Sequence, residues 1–294
     1  MKSYVIFLIL MGVIMGGCVP KTKDLVKNVQ TNDFSDKINQ SSEQSEEQPS
    51  EDFIFIPDQG IRMQNASNPG IYKDQKGVFY LYYRNMVATS IDGLNFLSGV
   101  LVNDTNDFRS VKLPDGTYRR YYWDERGRTP STVYGLKSKS SKDGIHFTED
   151  PGYRYQLDAS DKGTAGIHEF SLDNSGGVVL LYIGDLLGLN NIRRAYSKDN
   201  GWTFSFDKEN VLGDARDGKP GSFIDHKVVD LGDDRRRLYT VRQGSIYSFI
   251  SNDDGKTFVQ EPGARLIPSA FTEFDIIGFG DPVFIKLQAG RWRL

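Results

Sequence analysis

The chain has 294 residues, a formal charge of −3 and 26% charged residues, so neither sign dominates and no nucleic-acid or polyanion footprint is present. Its 30 Gly, 15 Tyr and 18 Phe suit a β-rich fold with tight turns, because aromatic residues fit pleated strands and Gly supplies positive φ. A single cysteine, Cys18, excludes an intramolecular disulfide, so stability must come from packing.

The first residues read as a leader. Lys2 is followed by an apolar run from Tyr4 to Met15 and then by Gly16-Gly17-Cys18. The run is too short to span a bilayer comfortably and fits a signal h-region with a small-residue cleavage site. The Gly-Gly-Cys ending resembles a bacterial lipobox, with Met15 where Leu is more usual. That resemblance implies cleavage before Cys18 and lipidation of that residue. It gives an exported lipoprotein at the cell surface or facing the periplasm, touching the membrane through its N-terminal lipid anchor only. Residues 1–17 are therefore expected to be the signal peptide and 18–52 a disordered tether. The segment KINQSSEQSEEQPSED at 37–52 cannot bury enough apolar surface to offset the entropy of ordering. Residues 53–294 are expected to carry the fold.

Within that region the chain repeats itself. Ser197-Lys-Asp199-Asn-Gly201-Trp-Thr203-Phe204 and Ser251-Asn-Asp253-Asp-Gly255-Lys-Thr257-Phe258 share one turn pattern. Ser90-Ile-Asp92-Gly93-Leu-Asn-Phe96 and Ser141-Lys-Asp143-Gly144-Ile-His-Phe147 share a version one residue shorter. The first serines are 51, 56 and 54 residues apart, about the length of one propeller blade. In each turn, an Asp-box, the Asp and Ser side chains can bond the turn backbone while Gly takes positive φ. These aspartates are expected to hold hairpins, and His146 to be exposed.

A second element precedes each box: Asn68-Pro69 before Gly77, Asp107-Phe108 before Gly116, His168-Glu169 before Gly177, Asp225-His226 before Asp234, and Asp281-Pro282 before Gly290. Each polar opener is followed nine positions later by the turn residue and then by an apolar-aromatic run. This reads as an inner strand, a hairpin and a second strand. With the strands flanking each box it predicts an all-β, five-bladed propeller of four-stranded antiparallel blades, monomeric, with an incomplete fifth blade. The chain stops at Leu294 inside an apolar strand, which points to truncation; a natural end, or closure by a strand from 52–62, are the other readings.

The short boxes, together with Asp281-Pro282-x4-Leu287-x2-Gly290-x-Trp292-Arg293-Leu294, resemble the five-bladed propellers of family 43 glycoside hydrolases and their arabinanase, invertase and levansucrase-like relatives. The resemblance spans roughly residues 60–294 and implies a glycoside hydrolase-like protein acting on extracellular glycans. It implies carboxylates around an axial funnel, one donating a proton and one activating water or attacking carbon. The family's pattern is not intact: Asn68 stands where its general-base Asp belongs, His168 where a modulating Asp would sit, and Asp225 where its acid Glu is expected.

The openers expected at the funnel are Asn68, Asp107, His168, Asp225 and Asp281, with Glu169 and His226 adjacent. Glu169 is assigned as general acid and Asp107 or Asp225 as base, while turn organisation explains the aspartates equally well. Arg84, Arg109 and Trp123 join Asn68, His168, His226 and Asp281 as sugar contacts, since aromatic faces stack on sugar rings and Arg forks hydroxyls. The resemblance allows a calcium ion at the axis through a histidine, but no dedicated metal ligands are assigned, because no cluster with convincing spacing accompanies it. Two alternatives stay open: a non-catalytic glycan- or protein-binding surface lipoprotein on the same scaffold, and a sialidase-like enzyme. The sialidase entry motif is missing; Phe55-Ile56-Pro57 is its nearest string.

Overall fold

The structure, a computed structural model, describes residues 3–6, 53–56 and 63–294 apart from 64–65, 67–68, 75, 85, 102–109, 127–131, 185–190, 209, 213–222, 272–275 and 288–291. Cys18, the tether, Asn68, Asp107 and Arg109 lie outside the described residues. Among those described, no helix is long and apolar enough to cross a membrane.

Strands β1 (Ser3–Ile6) and β2 (Phe53–Ile56) come first in the chain. The first blade follows as β3 (Gly70–Lys73), β4 (Phe79–Tyr83), β5 (Met86–Ser90) and β6 (Val100–Leu101). The second blade is β7 (Ser110–Lys112), β8 (Tyr118–Arg126), β9 (Thr132–Ser141) and β10 (Thr148–Glu149). The third is β11 (Ala165–Leu172), β12 (Val178–Gly184), β13 (Asn191–Ser197) and β14 (Ser205–Lys208). The fourth is β15 (Ile224–Gly232), β16 (Arg235–Arg242), β17 (Ser245–Ser251) and β18 (Val259–Gln260). In each blade, consecutive strands pair antiparallel.

Among the described residues four such blades form, not the five expected. The remaining strands, β19 (Ile285–Lys286) and β20 (Trp292–Arg293), form a sheet of order β19-β20-β1-β2. There β1 runs parallel to both β20 and β2, so the antiparallel meander stops after two strands. The fifth unit nevertheless starts as a blade does. Phe284 stacks on Tyr239 of β16 at 4.1 Å, as Phe170 stacks on Tyr121 of β8 at 4.0 Å. Strand β2 falls inside the segment read as a possible closing strand, and it joins this sheet through β1.

The core is a set of layers between blades. Strand β12 is buried at every position, which explains why VVLLYI lacks polar alternation. Val178, Leu180 and Tyr182 pack with Tyr121, Trp123 and Phe170 toward the second blade. Val179, Leu181 and Ile183 pack with Leu238 and Phe249 toward the fourth. Burying one such aliphatic side chain contributes roughly 1.5–3 kcal/mol.

Each Asp-box holds its own turn. Asp92 Oδ1 accepts from the Ser90 hydroxyl and the Leu94 and Asn95 amides at 2.8 Å, and Gly93 N donates to Ser90 Oγ at 2.9 Å. The other boxes repeat the Ser–Asp bond at 2.7–2.8 Å. The boxes also join blades. Tyr82 donates to the Gly144 carbonyl, and Tyr121 to that of Gly201 at 3.1 Å. Arg119 donates to Asn200 O at 2.6 Å and stacks on Trp202 at 3.9 Å. Because each box follows the third strand of a meander, it lies at the end opposite the start of the inner strand. The boxes therefore lie at one end of the blades and the inner-strand openers at the other.

Candidate functional site

Inner strands reach the axis through irregular starts. In β11 the pairing steps from Gly166/Ile183 to His168/Tyr182, leaving Ile167 extra. In β15 it steps from Ile224/Val241 to Lys227/Tyr239, so Asp225 and His226 share one partner position. Such bulges re-aim side chains and recur beside active sites. Asp225 has φ 52° although it lies within a strand, and Asp281 has φ 46°. Left-handed backbone costs a non-Gly residue roughly 1–2 kcal/mol, less for Asp, and must be held by its surroundings.

These starts surround a cleft. Pro69, Gly70 and Ile71 line it from the first blade, and Glu169 and Phe170 from the third. Asp225, His226 and Lys227 enter from the fourth, and Asp281, Pro282 and Val283 from the fifth unit. Asp281 N donates to Asp225 Oδ2 at 3.4 Å. One step deeper, Lys227 Nζ lies 2.5 Å from Glu169 Oε1, with the Glu169 side chain 4% exposed and that of Lys227 26%. Three carboxylates and one ammonium thus share the cleft, from neighbouring units of the ring.

Of the residues expected at a funnel, Glu169, Asp225, His226 and Asp281 line this cleft. Three others do not. His168 is 1% exposed; it donates from Nε2 to Tyr121 O at 3.1 Å and meets Trp123 and Phe170 edge to face. Trp123 is buried in the same seam, 5.6 Å from Tyr182. Both pack blades together instead of facing the cleft. Arg84 sits exposed on the β4–β5 turn at φ 52°.

A slip of one residue explains the misplacement of His168. The glycine that takes positive φ in the third hairpin is Gly176 (φ 82°), matching Gly77 (φ 86°) and Gly116 (φ 85°). Its amide donates to Asp173 O, as those of Gly77 and Gly116 do to Asp74 O and Leu113 O. Gly177 serves close packing, since a Cβ there would stand 1.9 Å from the Tyr196 hydroxyl. Counting back from Gly176 puts Ile167 at the opener position, His168 level with His226, and Glu169 level with Lys227. Lys227 is the cleft residue that the repeat as first aligned leaves out, and this register is the signal that places it.

The Glu169 carboxylate accepts from the Lys227 ammonium in a charge-assisted pair. The described residues do not fit a calcium ion, which takes about six to eight oxygen ligands. No group of three or more His, Cys, Asp or Glu among them is placed to hold a metal ion, and His168 and His226 each use Nε2 on a carbonyl.

No family model matches the sequence, and no curated protein matches it at the sequence level. Solved structures match by shape. An endo-arabinase from Bacteroides thetaiotaomicron VPI-5482 aligns with a TM-score of 0.57 at 16% identity, covering 77% of this chain and 87% of that one. An endo-1,4-β-xylanase from the same organism aligns with a TM-score of 0.58 at 12% identity, covering 77% and 82%. A family 43 glycoside hydrolase from Bacillus licheniformis aligns with a TM-score of 0.50 at 15% identity, covering 66% and 52%. At these identities the likeness is one of fold: the chain is an all-β propeller of four-stranded antiparallel blades, similar in shape to those glycosidases.

Proposed function

We propose that the protein is a surface-anchored, glycoside hydrolase-like enzyme that binds an extracellular glycan in the axial cleft. The observation that carries this reading is the convergence of Glu169, Asp225 and Asp281 from neighbouring units on one cleft. Glycoside hydrolysis needs two carboxyl groups, one to donate a proton and one to act as base or nucleophile. Asp225 is assigned as the donor, since it enters the same cleft as Glu169 from the adjacent blade. Glu169, oriented by Lys227, is assigned as the charged partner, with Asp107 as a further base at the second inner strand. Asn68 and Arg109 complete the proposed contacts to sugar, and a lipid on Cys18 supplies the anchor once cleavage has removed residues 1–17, β1 among them.

The second reading is a non-catalytic glycan receptor, favoured by the Glu169–Lys227 ion pair, which occupies the carboxylate first assigned as acid. A sialidase-like reading gains less support, since no arginine lines the cleft among the described residues. The test is a screen of the full chain against aryl-glycosides and plant and bacterial polysaccharides, with Asp225→Asn and Glu169→Gln alongside. Turnover that falls about 100-fold or more in either variant is expected of lost acid–base catalysis. Saturable glycan binding without turnover, unchanged in both variants, would leave the receptor.

A further inference from the structure

His226 interrupts the cleft residues Asp225 and Lys227, yet it is 2% exposed and directs Nε2 away from the cleft, donating to Leu181 O at 3.0 Å. Leu181 is the residue directly opposite Glu169 in the β11–β12 ladder. The imidazole therefore grips the third blade beside the residue that Lys227 must meet. It does so at the bulge of β15, where pairing with β16 is interrupted and the strand depends on other contacts for its placement. His168 makes the equivalent bond one seam earlier, to Tyr121 O at 3.1 Å, also just after a bulge and just before a cleft residue, Glu169. Two independent occurrences of one device make it a feature of the repeat.

We infer that His226 is a positioning residue: its bond to Leu181 O fixes the start of β15 against the third blade, so that Lys227 pairs with Glu169 and Asp225 is presented to the cleft. This inference rests on the reading of the cleft as the working site, but its geometry can be tested without a substrate. A carbonyl acceptor requires a donor at Nε2. Gln can supply an N–H at similar reach, Asn is shorter, and Phe keeps the volume without the donor.

The experiment is a double-mutant cycle on urea unfolding of the full chain, using Glu169→Gln and Lys227→Met, in three backgrounds: wild type, His226→Phe and His226→Gln. The coupling between Glu169 and Lys227 is expected in wild type, lost with Phe and restored with Gln. His226→Asn replaces the Phe background if that variant fails to fold. Coupling that persists without the donor overturns the inference, as does its loss in the Gln background. On any glycan found to be turned over, His226→Phe is expected to lower kcat about 100-fold with a smaller change in KM, as a misplacement of about 1 Å does. Rescue by Gln should be at least partial. If no glycan is turned over, the hydrolase reading fails while the cycle still decides the role of His226.

Discussion

Asp225 concentrates the conflict between stability and use. Its φ of 52° inside a strand is a conformation that Gly adopts freely. Asp225→Gly relieves that strain but loosens the unfolded chain, so the free energy of unfolding should change by no more than about 1 kcal/mol on urea titration, while turnover is lost. A variant that is both less stable and fully active would show that the aspartate is there for the fold. Asp225 and Asp281 were legible as axial residues because repeat spacing alone brings them to one end of the blades. His168 was not, because a doubled glycine offered two registers and only the hydrogen bond from Gly176 to Asp173 O chooses between them. Lys227 stayed hidden for the same reason: its partner was assigned to the wrong tier.

The recurring turns and connections carry their own predictions. In the boxes, the Asn95 amide bond to Asp92 and the His146 side-chain bond to Asp143 head the contacts that hold both carboxyls well below the usual carboxylate range. For Asp199 and Asp253, burial pushes upward, but bonds from the Thr203 and Thr257 hydroxyls and the box serines outweigh it. A carboxyl depressed by folding stabilises the protein above its unfolded value of about 3.9, and that contribution fades as pH falls below it. Unfolding midpoints should thus drop steeply below about pH 4, and less steeply in an Asp92→Asn, Asp143→Asn double variant. An unchanged slope would contradict the account of the boxes.

The connection between the second and third blades poses a different problem. Asp161, in the 3-10 turn Ala159–Asp161, is fully buried and pairs with Arg193 at 2.7 Å, while the Tyr182 hydroxyl donates to it at 3.0 Å. Burial pushes the Asp161 carboxyl up, and Arg193 pulls it down. Arg193→Met would leave that carboxylate uncompensated and should cost about 3–5 kcal/mol on urea unfolding. A loss under about 1 kcal/mol would mean that the charge is relieved elsewhere. The boxes were readable because their bonds are local. This pair joins residues 32 apart through the fold and left no mark in the sequence.

At the scale of the whole molecule, the repeat reveals a ring but not how the ring ends. Four meander blades follow from alternation, box spacing and turn chemistry. The mixed fifth sheet does not, because its pairing depends on β1 and β2, segments that share no pattern with the blades. The end proposed to bind glycan follows from the same logic: the boxes lie at one end of the blades, so the openers and their carboxylates stand at the other. The most direct test of that claim is kcat/KM of the full chain on its best glycan, compared with Asp225→Asn. A loss of about 100-fold or more is expected, with the fold intact by circular dichroism. An unaltered kcat/KM in that variant would contradict the assignment of the axial cleft as the site.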